Sequence, residues 1–358
     1  MNAPFRHDVL VLRLAELSDT GARRRIEAFL AHHPQATPFH APAWIEAVAS
    51  GTGNRALALV SERRGEIAAY LPLNAIHSPL FGRLLASSGF GVGGGLLVGD
   101  GADAAPIFAA VEELARKLSC PTIELRGGVL PEGRPHWHVR REFHCGFAAP
   151  LAADDEAQLL AIPRKQRAEV RKGLAQPLTV EFGRGERDRR AHYAVFAESV
   201  RNLGTPVFPR ALFDAVLDRF GSDSDILTIF DGATPVASVL SLYHRGAVMP
   251  YWGGGTRAAR HLRANERMYF ELMRHARSRG CSSFDFGRSK TGSGAYAFKR
   301  NWGFTPTPLA YAVWQAPGSA ARDADPTSAR HAAQIALWRR LPLPIANRLG
   351  PWIARGLG

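Results

Sequence analysis

The sequence has little cysteine, little lysine and no long uncharged apolar run. Its three cysteines, Cys120, Cys145 and Cys281, are too few and too scattered for a disulfide framework, and no C-x-x-C pair marks a zinc site. This scarcity fits a reducing compartment. No apolar run is long enough to span a bilayer. An early apolar run follows Asp8 and is interrupted by Arg13, so it predicts a first strand and not a signal peptide. We therefore expect a cytoplasmic protein.

Length and charge bound the remaining classes. At 358 residues the chain exceeds what one hydrophobic core usually organises, which predicts two domains. The net charge of +13 and the pI of about 10.3 favour an anionic partner, such as RNA, a nucleotide-linked precursor or an acidic membrane surface. Genomic base content explains an arginine-rich composition equally well.

The two halves of the chain repeat one order of sequence signals. Each has an aromatic helix start, a hairpin pattern, a triple glycine, a helical pattern and a closing strand with cysteine. In the first half these lie at residues 39–44, 55–73, 93–95, 104–118 and 120–127. In the second half they lie at residues 208–213, 226–243, 253–255, 265–279 and 281–287. Five matches in the same order predict an α+β fold of two similar units, each with a mixed sheet.

We divide the chain into a first domain at 1–150, a second at 151–316, and a linker with an amphipathic tail at 317–358. Between the domains, Pro163 is placed to begin a helix with five basic residues in nine positions. That helix is either a solvated connection or a phosphate-binding face. The tail combines apolar residues, tryptophans and arginines, and either lies in a membrane interface or packs onto the body of the protein.

A site is predicted between residues 284 and 304, where an apolar strand ends in FDFGRS (284–289) and a glycine-rich turn leads into YAFKRNWGF (296–304). The chain has five lysines and 40 arginines, yet Lys290 and Lys299 both fall in this window. A lysine kept there suggests that a compact ammonium is needed. The alternative is that Lys299 only faces solvent.

These residues resemble the FemAB family of acyl and aminoacyl transferases, in the branch associated with exosortase and PEP-CTERM exopolysaccharide systems. The resemblance is carried by five short segments: RNLGTPVF (201–208), YWGG (251–254), ANE (264–266), FDFGRS (284–289), and FK (298–299) with WG (302–303). It implies two tandem GNAT-like domains, with the chemistry in a cleft where the second domain meets the first. It also implies transfer of an acyl or aminoacyl group to an amine of an exopolysaccharide or other envelope precursor, which is anionic.

The resemblance also implies a set of site residues. Lys299 would stabilise the oxyanion and Asp285 would orient or deprotonate the amine, although an ion pair with Arg288 is an equal interpretation of Asp285. The expected substrate-binding residues are Arg288, Ser289, Tyr251, Trp252, Asn265, Asn202, Thr205 and Tyr296. Aromatic packing is an alternative for the tyrosines, and helix capping is an alternative for Asn265.

The donor is less constrained. Residues 257–264 lack the glycines of a coenzyme A pyrophosphate loop, so aminoacyl-tRNA or a carrier-protein thioester is expected instead. Many members of the FemAB family insert a long helical arm into the second domain, and this chain has no room for one, so the use of tRNA stays an open alternative. We expect no cofactor and no metal, since the histidines around 136–144 lack a second ligand pair. Peripheral contact with the inner face of the membrane through the tail is a further expected partner of the protein. A non-catalytic scaffold protein of a polysaccharide system, using the basic surface and the amphipathic tail, is the alternative function, and a nucleic-acid-binding protein is a third.

Overall fold

The computed structural model describes residues 10–319 and 332–358, in two compact units. The first unit holds residues 10–141, 310–319 and 355–358, and the second holds 142–309 and 332–354. Most of the linker predicted from residue 317 lies outside the described residues.

The first unit is a sheet of six main strands with three helices. In chain order its elements are β1 (Leu10–Ala15), α1 (Thr20–His32), α2 (Pro42–Thr52), β2 (Arg55–Arg63), β3 (Glu66–Ser78), β4 (Gly82–Ser87), β5 (Leu97–Val98), α3 (Ala105–Lys117), β6 (Thr122–Arg126) and the start of β7 (Trp137–Pro150). The strand order is β1-β2-β3-β4-β6 followed by the last strand of the chain, and β5 pairs with β3. Only the β4–β6 pair is parallel among these described strands, so the sheet is mixed.

The second unit follows the same plan. Its elements are α4 (Asp155–Ala161), α5 (Arg164–Leu174), β8 (Thr179–Gly183), α6 (Glu186–Leu203), α7 (Arg210–Phe220), β9 (Ser224–Asp231), β10 (Thr234–His244), β11 (Ala247–Gly255), α8 (Arg257–Leu262), α9 (Ala264–Ser278), β12 (Ser283–Lys290), α10 (Gly294–Asn301), α11 (Ala332–Arg340) and α12 (Leu343–Ala354). The last strand, β13 (Thr307–Gln315), begins in this unit and continues in the first. The order β7-β12-β11-β10-β9-β8 is again mixed, because β11 and β12 are parallel and the other pairs are antiparallel.

Local chemistry explains why these elements form. The hairpin predicted around residues 231–232 is present, and Gly232 takes the positive φ of 57° that its tight turn requires. Helix α9 buries Met268, Leu272 and Ala276, which recur every four residues on one face, against the sheet. Pro163 occupies the N-cap of α5, one residue before the predicted first turn.

The structure moves two predicted boundaries. Residues 310–315 belong to the first unit and not to the second, because Tyr311–Gln315 pair with β6 through Tyr311↔Arg126 to Gln315↔Thr122. The first boundary falls within β7, at 141/142 instead of 150/151. The predicted tail forms α11 and α12, and both pack on α6, as the packing interpretation expects. Contact of their exposed faces with a membrane stays a prediction.

Candidate functional site

Two neighbouring strands of the second unit separate to open a cleft. β11 and β12 pair only through Ala247↔Ser283 and Val248↔Phe284. Beyond these pairs β12 continues to pair with β7 and β11 with β10. A cavity of about 830 Å³ lies where the strands part, with Gly253 to Gly255 of β11 on one side and Phe286 of β12 on the other. Helices α6, α8, α9, α10 and α11 complete its lining.

The triple glycine of β11 lets polar side chains approach the strand closely. A Cβ on Gly254 would lie 2.3 Å from Ser199 Oγ, and one on Gly255 would lie 2.6 Å from Asn265 Oδ1. Both distances are shorter than real Cβ contacts, so these positions need glycine for close approach. The second glycine triplet of the sequence is therefore a wall of the cleft.

A β-bulge in β12 prepares the position of Lys299. Asp285 pairs with Ala148 and Arg288 with Gly146, so two residues of β12 face one residue of β7. Gly287, inside the bulge, has a φ of +67°. The bulge leaves two carbonyl groups to α10, and Lys299 Nζ donates to Gly287 O at 3.2 Å and to Arg288 O at 2.9 Å.

Lys299 is a buried cation at the edge of the cleft. Its exposed fraction is 9%, and burial lowers its pKa to about 8, against the opposing effect of Asp285. The ammonium lies 5.4 Å from the ring centre of Phe147 and 5.9 Å from that of Phe286, distances at which aromatic rings attract cations. With that pKa, the Lys299 side chain is still charged in most molecules at neutral pH. Because it is buried, the alternative interpretation, that Lys299 only faces solvent, is wrong.

Asp285 holds the bulge from within. Its Oδ1 accepts a hydrogen bond from the Gly287 N–H at 2.8 Å, and burial raises its pKa despite that bond and the nearby Lys299 charge. Asp285 is not among the described residues that line the cleft. Its hydrogen bonds to described residues do not include Arg288.

Three of the ten predicted site residues line the cleft together: Lys299, Asn202 and Asn265. The Oδ1 atoms of both asparagines are buried and lack a hydrogen-bond partner among the described residues. Asn265 does not cap α9, because Arg263 occupies the N-cap with a φ of 55°. Its amide instead faces Gly255.

Six further predicted residues, like Asp285, lie outside the lining of the cleft. Trp252 packs edge-on against Phe213 at 4.8 Å, and Tyr251 contacts Trp252. Tyr296 packs edge-on against Phe147 at 5.4 Å, which agrees with the packing alternative for the tyrosines. The other three are held in backbone pairs. Arg288 and Ser289 pair with Gly146 and Cys145 in β7, and the N–H of Thr205 donates to Val200 O at the end of α6.

Sequence reasoning missed several residues of the lining. Tyr269 of α9 contacts Phe286 at 4.8 Å and Phe298 at 5.7 Å between ring centres, and its burial raises the pKa of its hydroxyl to about 12. A Cβ on Gly253 would lie 3.4 Å from Tyr269 Oη. The signal that could have identified Tyr269 is its position on the helix that follows the triple glycine, on the face turned toward it. Also missed were Ser199, Leu203, Thr256, Arg257, Arg260, His261 and Arg339.

Comparison with known proteins agrees with this architecture. Residues 163–300 match the family model described as Acetyltransferase (GNAT) domain. No curated protein sequence matches the chain. The chain therefore carries a GNAT-type domain over the part that forms the cleft, and it is an acyltransferase.

Solved structures show the same fold at low identity. The structure of FemX is 15% identical with a TM-score of 0.62, covering 81% of this chain and 95% of that one. A tandem GNAT protein from the clavulanic acid biosynthesis pathway is 13% identical with a TM-score of 0.56, covering 87% and 100%. The C-terminal domain of an Agrobacterium fabrum protein named as a lysylphosphatidylglycerol synthetase is 13% identical with a TM-score of 0.54, covering 81% and 91%. These likenesses confirm the predicted GNAT-like fold.

Proposed function

We propose that the protein transfers an acyl or aminoacyl group to an amine of an exopolysaccharide or other cell-envelope precursor. The observation that carries the proposal is the cleft between β11 and β12, which brings a buried ammonium and a tyrosine hydroxyl to one cavity. The residues that resemble the FemAB family, RNLGTPVF at 201–208 and FDFGRS at 284–289, support the choice of acceptor.

The reaction makes three chemical demands: the oxyanion must be stabilised, the amine must lose a proton, and the leaving group must gain one. The amine nitrogen attacks the acyl carbonyl carbon, a C–N bond forms, and the carbonyl oxygen carries negative charge in the tetrahedral intermediate. The C–O or C–S bond to the donor then breaks. The amine loses a proton, and the leaving group gains one.

Lys299 meets the first demand. A lysine ammonium has three N–H donors, and Gly287 O and Arg288 O take two of them. The third remains for the oxyanion. The two carbonyls fix the ammonium in place before substrate binds, which is the condition for effective electrostatic stabilisation. Asp285 acts indirectly, as a positioning residue that holds Gly287 in the bulge.

Tyr269 meets the last demand. Its pKa of about 12 keeps the hydroxyl protonated at neutral pH, so Tyr269 gives its proton to the leaving group and regains one from the proton that the attacking amine loses. The surrounding rings of Phe286 and Phe298 keep water from replacing it. Asn202 and Asn265, with unpartnered amide oxygens, bind polar groups of the substrates.

The donor is an aminoacyl-tRNA or a carrier-protein thioester. The segment between β11 and α9 forms the short helix α8 and then turns at Arg263 with a φ of 55°, with no glycine to let the backbone approach a pyrophosphate.

In the same proposal the protein works at the cytoplasmic face of the membrane. Leu337, Ile345, Leu349 and Trp352 of α11 and α12 are exposed, whereas no described helix is long and apolar enough to cross a bilayer.

Mass spectrometry of envelope precursors tests the proposal. Cells that lack the protein should lose an acyl or aminoacyl mass from a precursor, and wild-type protein should restore it. Lys299→Met should fold and fail to restore it. Unchanged precursor masses in the deletion strain, or full restoration by Lys299→Met, would overturn the proposal in favour of a scaffold.

A further inference from the structure

Lys299 lies in surroundings that make a lysine amine nucleophilic. Its side chain is buried, and the ring centres of Phe147 and Phe286 lie 5.4 Å and 5.9 Å from Nζ. Burial lowers its pKa to about 8, Asp285 opposes this shift and the charge of Arg288 supports it. A hydrophobic pocket and a neighbouring cation are the two conditions that activate lysine nucleophiles in proteins. With this pKa, about half of the molecules carry the neutral amine at pH 8.

The two carbonyl groups that bind Nζ also orient the neutral amine. Lys299 Nζ donates to Gly287 O at 3.2 Å and to Arg288 O at 2.9 Å. A neutral amine has two N–H groups and one lone pair, so these two acceptors use both of its donors. The lone pair then takes the remaining tetrahedral position of the nitrogen, which is open to the cleft that Lys299 lines. The contacts that fix the ammonium therefore also fix the nucleophile.

The cleft has room for an acyl group beside Lys299. Gly294 and Ala295, in the first turn of α10, line the cleft together with Lys299. A helical side chain leans toward the N-terminus of its helix, so these two small residues border the space next to Lys299. A Cβ added at Gly294 would have no atom within 4 Å, which shows that this space is open.

The other four lysines of the chain are differently placed. Lys117 and Lys172 pair with glutamates at 2.6 Å and 2.7 Å. Neither these two nor Lys165 and Lys290 are among the described residues that line the cleft. The four therefore serve as internal references for the reactivity of Lys299.

We propose that Lys299 is a site of covalent acylation, at which its neutral amine takes the acyl group of a thioester that enters the cleft. The nitrogen lone pair attacks the carbonyl carbon of the thioester, a C–N bond forms and the C–S bond breaks. The proton that the nitrogen loses ends on the sulfur, which leaves as a thiol. The amide product keeps one N–H, so only one of the two carbonyl groups retains its donor.

This inference goes beyond the proposed function. In that function the Lys299 ammonium assists transfer to another amine, whereas here the neutral form of Lys299 is itself the acceptor. One consequence rests on the proposed function: acylated Lys299 carries no charge to stabilise an oxyanion, so donor supplied without acceptor should inactivate the transferase.

Acetylation by a simple thioester tests the inference. The full chain is incubated at pH 8 with the acetyl thioester of N-acetylcysteamine, and peptide mass spectrometry follows all five lysines with time. We expect Lys299 to be acetylated about tenfold faster than the fastest of the other four. The same reaction in guanidinium chloride is the control, since unfolding removes the carbonyl contacts and should remove the preference.

A pair of variants on α10 tests entry through the cleft. Ala295→Leu fills the space beside Lys299 and should slow its acetylation by about tenfold. Ala297→Leu is the matched control, because Ala297 is exposed on the same helix but does not line the cleft, and it should leave the rate unchanged.

The outcomes separate this inference from the proposed function. Acetylation of Lys299 no faster than that of the other lysines, or a preference that persists in guanidinium chloride, would overturn the inference. Equal rates in the two α10 variants would also overturn it, since the acyl group would then not enter through the cleft. Selective acetylation without any change in precursor masses would leave the acylation site standing and remove the transferase proposal. A precursor change without selective acetylation would do the reverse.

Discussion

At the scale of single residues, Lys299 links the local geometry to pH dependence. Burial lowers its pKa to about 8, so we expect transfer activity to fall as pH rises through that value and the ammonium is lost. The stability contribution has the opposite sign. The unfolded chain keeps this proton up to a pKa of roughly 10.4, so between pH 8 and that value the native state binds fewer protons and the free energy of unfolding rises.

This opposition provides the measurement. Activity and denaturant unfolding are followed between pH 6.5 and 10 for wild type and Lys299→Met. We expect Lys299→Met to lose activity by about 10²-fold at pH 7 and to lack the stability increase above pH 8. Activity that keeps rising above pH 9 would show that the neutral amine, and not the ammonium, serves the reaction.

Tyr269 gives a second prediction at this scale. Tyr269→Phe keeps the ring contacts with Phe286 and Phe298 but removes the proton donor, so we expect a loss of about 10²-fold in kcat with little change in stability. Tyr296→Phe is the matched control, since Tyr296 does not line the cleft. The loss should shrink with a p-nitrophenyl ester donor, whose leaving group needs no proton. A loss of equal size with that donor would assign Tyr269 a purely structural role.

The sequence named three residues that line the cleft, Lys299 and both asparagines, because they stand in distinctive short segments; it did not indicate the lining residues Tyr269 and Arg339, for a physical reason. Tyr269 has the helical spacing of a core residue, and its face toward the cavity depends on the separation of β11 and β12. Trp252 shows the reverse. It stands in a distinctive segment, yet its ring packs against Phe213 and does not line the cleft. Residue type marks the segment, whereas tertiary packing decides which side chain faces the cavity.

At the scale of elements, the junction between α6 and α11 rests on one glycine. Gly204 ends α6 in a left-handed conformation with a φ of 87°, and Ile335 occupies the space where a Cβ would be. Gly204→Ala therefore carries two costs, about 1–2 kcal/mol of backbone strain and about 1–3 kcal/mol of overpacking.

Gly53→Ala is the control for that prediction. Gly53 ends α2 with a φ of 77°, and nothing lies within 4 Å of its added Cβ, so only the strain applies. Urea unfolding of both variants measures the difference. Equal destabilisation by the two substitutions would mean that α11 is not held at Gly204.

Elements with local causes were predictable, and those with distant causes were not. The hairpins are present because their turns and alternating strands are adjacent in sequence. The bulge at Gly287 and the parting of β11 from β12 depend on which strands become neighbours, which periodicity does not encode. A cleft was expected from the resemblance, but its place between β11 and β12 within the second unit emerged only from the structure.

At the scale of the whole molecule, the repeat of signals in the two halves predicted the two α+β units because five elements recur in one order. The return of residues 310–319 to the first unit could not be read from that repeat, since it depends on pairing with a strand some 185 residues earlier, a separation of the kind that sequence patterns do not report. The net charge of +13 likewise did not indicate which anionic partner the protein binds. The structure localises part of that charge at the cleft and part on the tail helices.

Membrane contact through the tail is the prediction that belongs to this scale. Leu337 is 66% exposed and Trp352 is 47% exposed, and Arg340 and Arg348 accompany them on α11 and α12. Apolar side chains enter an interface while arginines bind anionic headgroups, so vesicles of phosphatidylglycerol should bind the protein and vesicles of phosphatidylcholine should not.

Leu337→Ser with Trp352→Ser should weaken sedimentation with the anionic vesicles by about tenfold or more, because two apolar anchors are lost. Leu80→Ser, at a 55% exposed leucine of the first unit, is the control and should leave binding unchanged. Retention of full binding by the double variant would place the membrane-binding surface elsewhere on the basic exterior, and the acceptor would then have to reach the cleft without help from α11 and α12.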